Sequence, residues 1–538
     1  MTRSTVALAL VAVLLLAVAA TVRVRTAPRE GPDLKPRPEA LDHGLAAAAL
    51  VERGEFALRI GDARYPPRPP PGFPLLAAPI VALEGGDPSA AADAAFLFGL
   101  AGVAVVLLLG ALAAGVLGGA TAGAVVALSP LAIDLSGLAM SETASAALVG
   151  TVLLAGAFAA WRRPDGVPRS GALLLAGVAA GLAVTVRPSN AAVLLPVVLF
   201  YGTRHALAPP RGRALGAVRF AAGPAVVALL LLAGHRWRTF GSPLADGERF
   251  WGSASAGSSD LPSPAAFGLE LLGVGSLWSV GAALLAVVGL ARLLVLARRC
   301  PVARLLALAT GTTLPAMVGF HLLADRPDPR FLVPLLPLLA VLAGSGAEAL
   351  RAGVARLVGP RAGGPAGALA GVALLAVAIV APARALAPEV LTTPRVRPLP
   401  PMTRWLSSLD AELPRGSIVV CNFPVTLAAP ALGDGREVIV TNRRTADPHL
   451  AAIDELGRKG RDGRIPDVRS LASGDRVDDA TLADLVRWVR EGRPAFYVAV
   501  AGEGRAGAGV NALAPRGLET VETIARPPIT VYELRLRR

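Results

Sequence analysis

Ten ionisable side chains stand close to or inside apolar sequence, where a purely structural segment would exclude them. Asp42 and His43 lie in EALDHGLAAAALVERGEF. Asp134 and Glu142 flank LSGLAMS. Arg187 interrupts LAVTVRPSNAAVLLP, and His321, Asp325, Arg326, Asp328 and Arg330 gather around DRPDPRF. A carboxylate within hydrogen-bond reach takes a proton from a hydroxyl nucleophile. A guanidinium grips phosphate oxygens through two parallel donors. Together these groups suit a reaction between a charged lipid headgroup and a polar acceptor. Singly, each also serves as an interfacial anchor, because a charge at a helix end snorkels to water, whereas at a helix centre it costs about 2.5–3.5 kcal/mol on insertion scales. The surrounding elements decide between these readings.

Those elements are apolar. Of 538 residues, 54% are hydrophobic and 17% charged, and the mean hydropathy is +0.57. Runs at 102–117, 144–160, 214–234 and 365–383 carry almost no charge, and about 18 such residues span a hydrocarbon core. Backbone in lipid must satisfy its own hydrogen bonds, so these runs are predicted as helices. The net charge of +14 would suggest nucleic acid in a soluble domain. Here the basic residues sit in loops and in the tail, where membrane topology and anionic headgroups account for them, and no nucleic-acid partner is expected. Cys300 and Cys421 fall on opposite sides of the predicted membrane, so no disulfide is expected.

Residues 6–20 are read as an uncleaved first helix, with a signal peptide cleaved at AVAA as the alternative. Residues 23–90 are polar and Pro-rich and form a large first external loop. Further apolar runs at 91–117, 119–138, 142–161, 171–186, 189–203, 214–234, 271–296, 302–323, 331–347 and 365–384 give about eleven spans. From an inside N-terminus, Arg162, Arg163 and Arg169; Arg204, Arg211 and Arg213; Arg298, Arg299 and Arg304; and Arg351, Arg356 and Arg361 fall in four successive inside loops, as the positive-inside rule expects. The ten ionisable groups then share the outside face. Residues 1–384 form the membrane domain, and residues 385–538 form a soluble extracytoplasmic domain. There, runs at 417–422, 437–442, 495–502 and 529–536 read as strands and 479–491 as a helix, an α/β layer.

The sequence resembles the GT-C membrane glycosyltransferases, in the branch of the protein O-mannosyltransferases and the lipid A aminoarabinose transferase. The likeness covers about residues 1–385. It runs through Asp42 and its Ala-rich segment, RYPPRPPPGFPLLAAPI at 64–80, LSPLAIDLSGLAMSE at 128–142, AGVAAGLAVTVRPSNAAVLLP at 176–196, FGSPL at 240–244 and PRFLVPLLPLLAVLAG at 329–344. The resemblance implies inverting transfer of a sugar from a polyprenyl-phosphate carrier to a glycan, lipid or protein acceptor on the extracytoplasmic face, in a bacterial inner membrane. It implies Asp42 as base, Glu142 as the acidic residue opening the fourth span, and Arg187, Arg326 and Arg330 as holders of the carrier phosphate. His43, Asp134 and His321 are accessory candidates. Two positions depart from the pattern: His43 replaces a second acidic residue, and Ala46 a Tyr. Glu39 and Asp33 remain alternative bases, and a divalent metal remains open.

Other signals are weaker. GEGRAG at 502–507 fits a nucleotide-loop spacing but lacks the helix and the acidic residue that such a fold needs. TADPHL at 445–450 lacks metal-spaced partners. GVLGGATAG at 115–123 and AGVAAG at 176–181 read as close helix packing. A lipid-linked-glycan translocase is the main alternative function, although repeated halves and broken midplane helices, common in transporters, are missing from the pattern. An inactive GT-C-like scaffold is the third.

Overall fold

The computed structural model describes residues 3–26, 38–60, 63–161, 169–206, 212–243, 264–323, 328–359 and 363–392. In the tail it describes 408–409, 411–421, 436–443, 468–473, 476–477, 479–500, 517–526 and 529–537. Asp33, Asp325, Arg326, TADPHL and GEGRAG lie outside the described residues.

Helix α1 (Arg3–Thr26) runs beyond the predicted segment and carries Arg23 with it. Sequence reading placed Arg23 in the first external loop; it is 1% exposed inside the bundle. The first loop holds helix α2 (Pro38–Arg53), a hairpin of β1 (Leu58–Ile60) and β2 (Ala63–Tyr65), and helix α3 (Gly72–Leu83). At 12 residues, α3 is about 18 Å long and too short to cross a bilayer.

Helix α4 (Ala91–Ala127) is a hairpin of two arms. Gly115 has φ 76° and ψ −170°, a left-handed conformation that glycine enters without steric cost. The arms meet through small residues, with Gly110 against Gly118 and Gly119, and Gly119 against Leu107 and Ala111. Ser129 caps α5 (Pro130–Ser136) by accepting from the Ala132 amide. Arg23 completes the α4 terminus, donating to the Ala127 and Val126 carbonyls at 3.1 and 3.4 Å and to Ser136 Oγ at 3.1 Å. Carbonyls at a helix C-terminus have no intrahelical partner, and a guanidinium satisfies them.

Helices α6 (Ser141–Ala160), α7 (Ser170–Val186), α8 (Leu194–Ala206) and α9 (Gly212–Phe240) follow. The run predicted at 271–296 divides: α10 (Pro264–Leu271) ends, a turn intervenes, and α11 (Val280–Leu296) begins. Gly273, with φ 81°, and the Glu270 carboxylate, which accepts from the Ser276 and Leu277 amides, hold that turn. After α12 (Pro301–Leu323) and a 3-10 segment at Pro329–Leu335 come α13 (Leu336–Val358) and α14 (Gly363–Thr392).

Leu336–Ala347 are buried on every face of α13, as expected for a helix at the centre of a bundle. Gly289 of α11 meets Leu342 and Gly346, and Gly344 meets Gly118 of α4. Such small-residue seams let helix backbones approach where lipid gives no hydrophobic push. The outer faces are apolar as well, with Leu10, Leu14, Leu231, Val287 and Leu369 among the exposed side chains. Among the described residues, six helical stretches are long and apolar enough to cross a membrane: Thr5–Thr26, Pro88–Ala127, Ser141–Ala160, Pro301–Leu322, Pro329–Val358 and Gly364–Ala387. Together with the apolar exterior, they mark an integral membrane protein.

The tail forms its own sheet, ordered β6-β5-β4-β3-β7-β9-β8, from Arg476–Val477, Val468–Ser473, Glu437–Arg443, Ile418–Cys421, Ala495–Val500, Ile529–Leu536 and Leu518–Arg526 respectively. Strands β5, β4, β3 and β7 are parallel neighbours, and antiparallel β6, β9 and β8 extend the two edges. Helix α15 (Asp479–Arg490) packs Leu482, Leu485 and Trp488 on the core with Ile418, Val420 and Tyr497. The four predicted strands and the helix all appear, and β5, β6 and β8 complete the sheet.

Candidate functional site

Two polar centres stand where helices end. The first is on α2. Its apolar face packs inward through Ala40, Ala47 and Ala48, and the same face carries Asp42, fully buried, and His43, 3% exposed. Arg68, from RYPPRPPPGFP, brings Nε to 3.7 Å from Asp42 Oδ2. Its Nη2 is buried with no hydrogen-bond partner among the described residues. His43 meets the Phe73 ring edge-on at 5.0 Å. A side chain at Gly44 would collide with the Pro88 carbonyl, so glycine lets α2 lie against the start of α4.

The second centre joins the ends of α6, α7 and α12 to the turn before α13. Residues preceding proline are driven out of the α region. Arg187, before Pro188, accordingly adopts φ −149° and ψ 120° and ends α7. Its guanidinium leaves the helix axis and donates from Nη2 to Glu142 Oε1 at 2.6 Å and from Nε to Ser141 Oγ at 3.0 Å. Glu142 is fully buried in the first turn of α6, where the helix dipole favours a negative charge. Asp328 caps the 3-10 turn by accepting from the Arg330 amide at 2.9 Å and pairs with Arg330 Nε at 2.9 Å. Arg330 Nε lies 3.8 Å from the same Glu142 oxygen. Asn190 donates to Ser145 Oγ and to the Ala183 carbonyl, tying the Arg187 turn to α6.

The two centres adjoin. Gly72 opens α3 against the backbone of Thr185 and Val186 with no room for a side chain, one residue from Arg187. The next residue, Phe73, touches His43. Asp42 and the Arg187–Glu142 pair therefore stand at one end of the bundle, bridged by the Pro-Gly-Phe of the first loop.

His321 is 6% exposed, stacks on Phe331 at 4.6 Å, and belongs to the second centre. Asp134 is exposed on α5, outside both buried clusters, and Arg326 is outside the described residues. Arg68, Ser141, Asn190 and Phe331 are members that sequence reading did not assign. Arg68 carried a signal, a lone cation within a proline run, whereas nothing in a Phe beginning an apolar run announces contact with two arginines. Among the described residues no three His, Cys, Asp or Glu side chains gather as a metal requires. Each central carboxylate faces a guanidinium, Asp42 that of Arg68 and Glu142 that of Arg187.

No family model and no curated protein matches the chain. Solved structures do. ArnT from Cupriavidus metallidurans bound to undecaprenyl phosphate superposes with a TM-score of 0.59 over 97% of both chains at 16% identity. The archaeal oligosaccharyltransferase AglB from Archaeoglobus fulgidus, in complex with an inhibitory peptide and a dolichol-phosphate, superposes with a TM-score of 0.50 at 12% identity, over 97% of this chain and 74% of that one. A second AglB structure, in complex with Zn and sulfate, gives 0.51. The chain has the fold of the GT-C membrane glycosyltransferases.

Proposed function

We propose that this chain is an inverting glycosyltransferase that moves a sugar from a polyprenyl-phosphate carrier to an acceptor hydroxyl. One observation carries the reading: a buried carboxylate, Asp42, adjoins a separate, partly buried pair of arginines, Arg187 and Arg330, at one end of a GT-C bundle. A similar fold holds undecaprenyl phosphate in ArnT and dolichol-phosphate in AglB, which supports a lipid phosphate as the anion.

Asp42 takes the proton from the acceptor hydroxyl as its oxygen attacks the anomeric carbon from the side opposite the phosphate. The bond from that carbon to the phosphate oxygen breaks, and the electron pair leaves with the carrier phosphate. Arg187 and Arg330 receive the charge that grows there, the point at which preorganised donors lower a barrier most. Arg68, beside Asp42, holds the base in place. About eleven crossings, residues 1–384 as the membrane domain, residues 385–538 as an extracytoplasmic domain and a bacterial inner membrane complete the reading.

The test is release of free polyprenyl phosphate from a panel of polyprenyl-phosphate sugars by the full chain in nanodiscs, with candidate acceptors present. Release by wild type and its loss in Asp42→Asn is the expected result, and the active donor identifies the sugar. Well-folded wild type that releases nothing from any donor would overturn the reading in favour of a translocase or scaffold.

A further inference from the structure

Phe331 is the only aromatic residue between Phe320 and Trp405, in a chain where aromatic residues are 4% of the total. It begins the run FLVPLLPLLAVL, whose other positions are Leu, Val, Pro and Ala. Filling the core at this place needs no aromatic ring. The ring nevertheless collects three side chains from three elements. The Arg187 and Arg330 guanidinium carbons lie 4.8 and 4.9 Å from its centroid, and His321 stacks on it at 4.6 Å with 16° between planes. His321 Nε2 is buried with no hydrogen-bond partner among the described residues.

The charge balance makes this contact matter. Two guanidiniums drawn to one ring repel each other, and Glu142 reaches both, at 2.6 and 3.8 Å. Among the described residues, Arg187 and Arg330 are matched by Glu142 and Asp328. An anion entering here competes with Glu142 for the guanidiniums, and loosening Glu142 removes the carboxylate that Arg187 and Arg330 share. The negative face of an aromatic ring attracts guanidinium without occupying its N–H donors. A ring can hold both arginines in place while leaving those donors for phosphate oxygens.

We infer that Phe331 is a positioning residue for the phosphate site, a π platform that keeps Arg187, Arg330 and His321 together when a phosphate displaces Glu142; the inference rests on the proposed function for the identity of the anion. Leu in its place fills similar volume without a π face, and Tyr restores the face.

Binding of undecaprenyl phosphate to the full chain in nanodiscs tests this. Phe331→Leu is expected to weaken binding about tenfold, in line with loss of desolvated cation–π contacts, while Phe331→Tyr binds as wild type and both variants melt alike. Equal binding by Phe331→Leu and wild type would overturn the proposal, as would equal loss in both variants. A ligand-free measurement separates this inference from the functional reading. Phenylglyoxal labelling of Arg187 and Arg330, read by mass spectrometry, is expected to quicken in Phe331→Leu and stay at the wild-type rate in Phe331→Tyr. Identical labelling in all three overturns the positioning role even if wild type binds no undecaprenyl phosphate, a result that would by itself count against the functional reading only.

Discussion

The Asp42 and Glu142 centres hold the same kinds of group in opposite arrangements. Each has a fully buried carboxylate on a helix, facing guanidinium from a Pro-containing segment. Glu142 is clamped by a 2.6 Å charge-assisted bond and a second arginine. Asp42 has its arginine at 3.7 Å, too far for a strong hydrogen bond. A carboxylate held by two guanidiniums is suited to organising charge. In the proposed reading, proton transfer falls to Asp42 and anion handling to the Glu142 centre.

The largest effect should come from breaking the base. Asp42→Asn keeps shape and burial while removing the proton acceptor. Transfer is expected to fall by about 10²–10⁴-fold, with undecaprenyl phosphate binding unchanged. If Glu142→Gln produces that loss while Asp42→Asn does not, the two roles are exchanged.

The sequence made much of this contrast legible. Arg187 was readable because a charge before proline in an apolar run has few structural uses, and the Pro188 that ends α7 is what frees its side chain. Asp42, Glu142, Arg330 and His321 were visible for similar reasons. The partners were not visible. Arg187 meets Glu142 across separate helices, and Arg68 meets Asp42 across a loop, so only packing reveals either pair. Arg23 shows the opposite limit. Its charge suggested a loop, yet the buried carbonyls at the end of α4 supply what a buried guanidinium needs. The tail strands β3, β4, β7 and β9 were legible from β-branched and aromatic runs. β5 and β8, VRSLAS and LETVETIAR, interleave polar residues and take their order from pairing with neighbours.

The next effect separates the clamp from the base by removing one of its cations. Among the described residues, Arg187→Gln leaves Glu142 the more distant Arg330 as its ionic partner. Breaking one partner of a buried ion pair costs about 3–5 kcal/mol, so unfolding in denaturant should show a stability loss of that order. Carrier binding should fall with it, whereas Asp42→Asn should leave both quantities near wild type. Unchanged stability and binding in Arg187→Gln would show that the 2.6 Å pair organises neither.

Glu142→Gln should act with the opposite sign. It removes the internal competitor for the two arginines and shifts the balance of Arg187 and Arg330 against Glu142 and Asp328 from even to one net positive charge. Undecaprenyl phosphate should bind several-fold more tightly, with a steeper dependence on salt because the added positive charge is screened by ions. Weaker binding in this variant would mean that Glu142 orients the arginines more than it competes for them.

The smallest change tests the contact between Arg68 and Asp42. Arg68→Lys keeps the positive charge but loses the planar fork. At 3.7 Å the pair makes little use of that fork, so a point charge should substitute for most of its effect. Transfer should drop about two- to fivefold, and carrier binding should not change. The same conservative exchange at Arg187, where the fork reaches both Glu142 and Ser141, should cost carrier binding far more. Parallel rate and binding measurements on Arg68→Lys and Arg187→Lys therefore set the two centres against each other with one chemical change. Equal losses in both would remove the proposed distinction between a base at Asp42 and an anion clamp at Arg187.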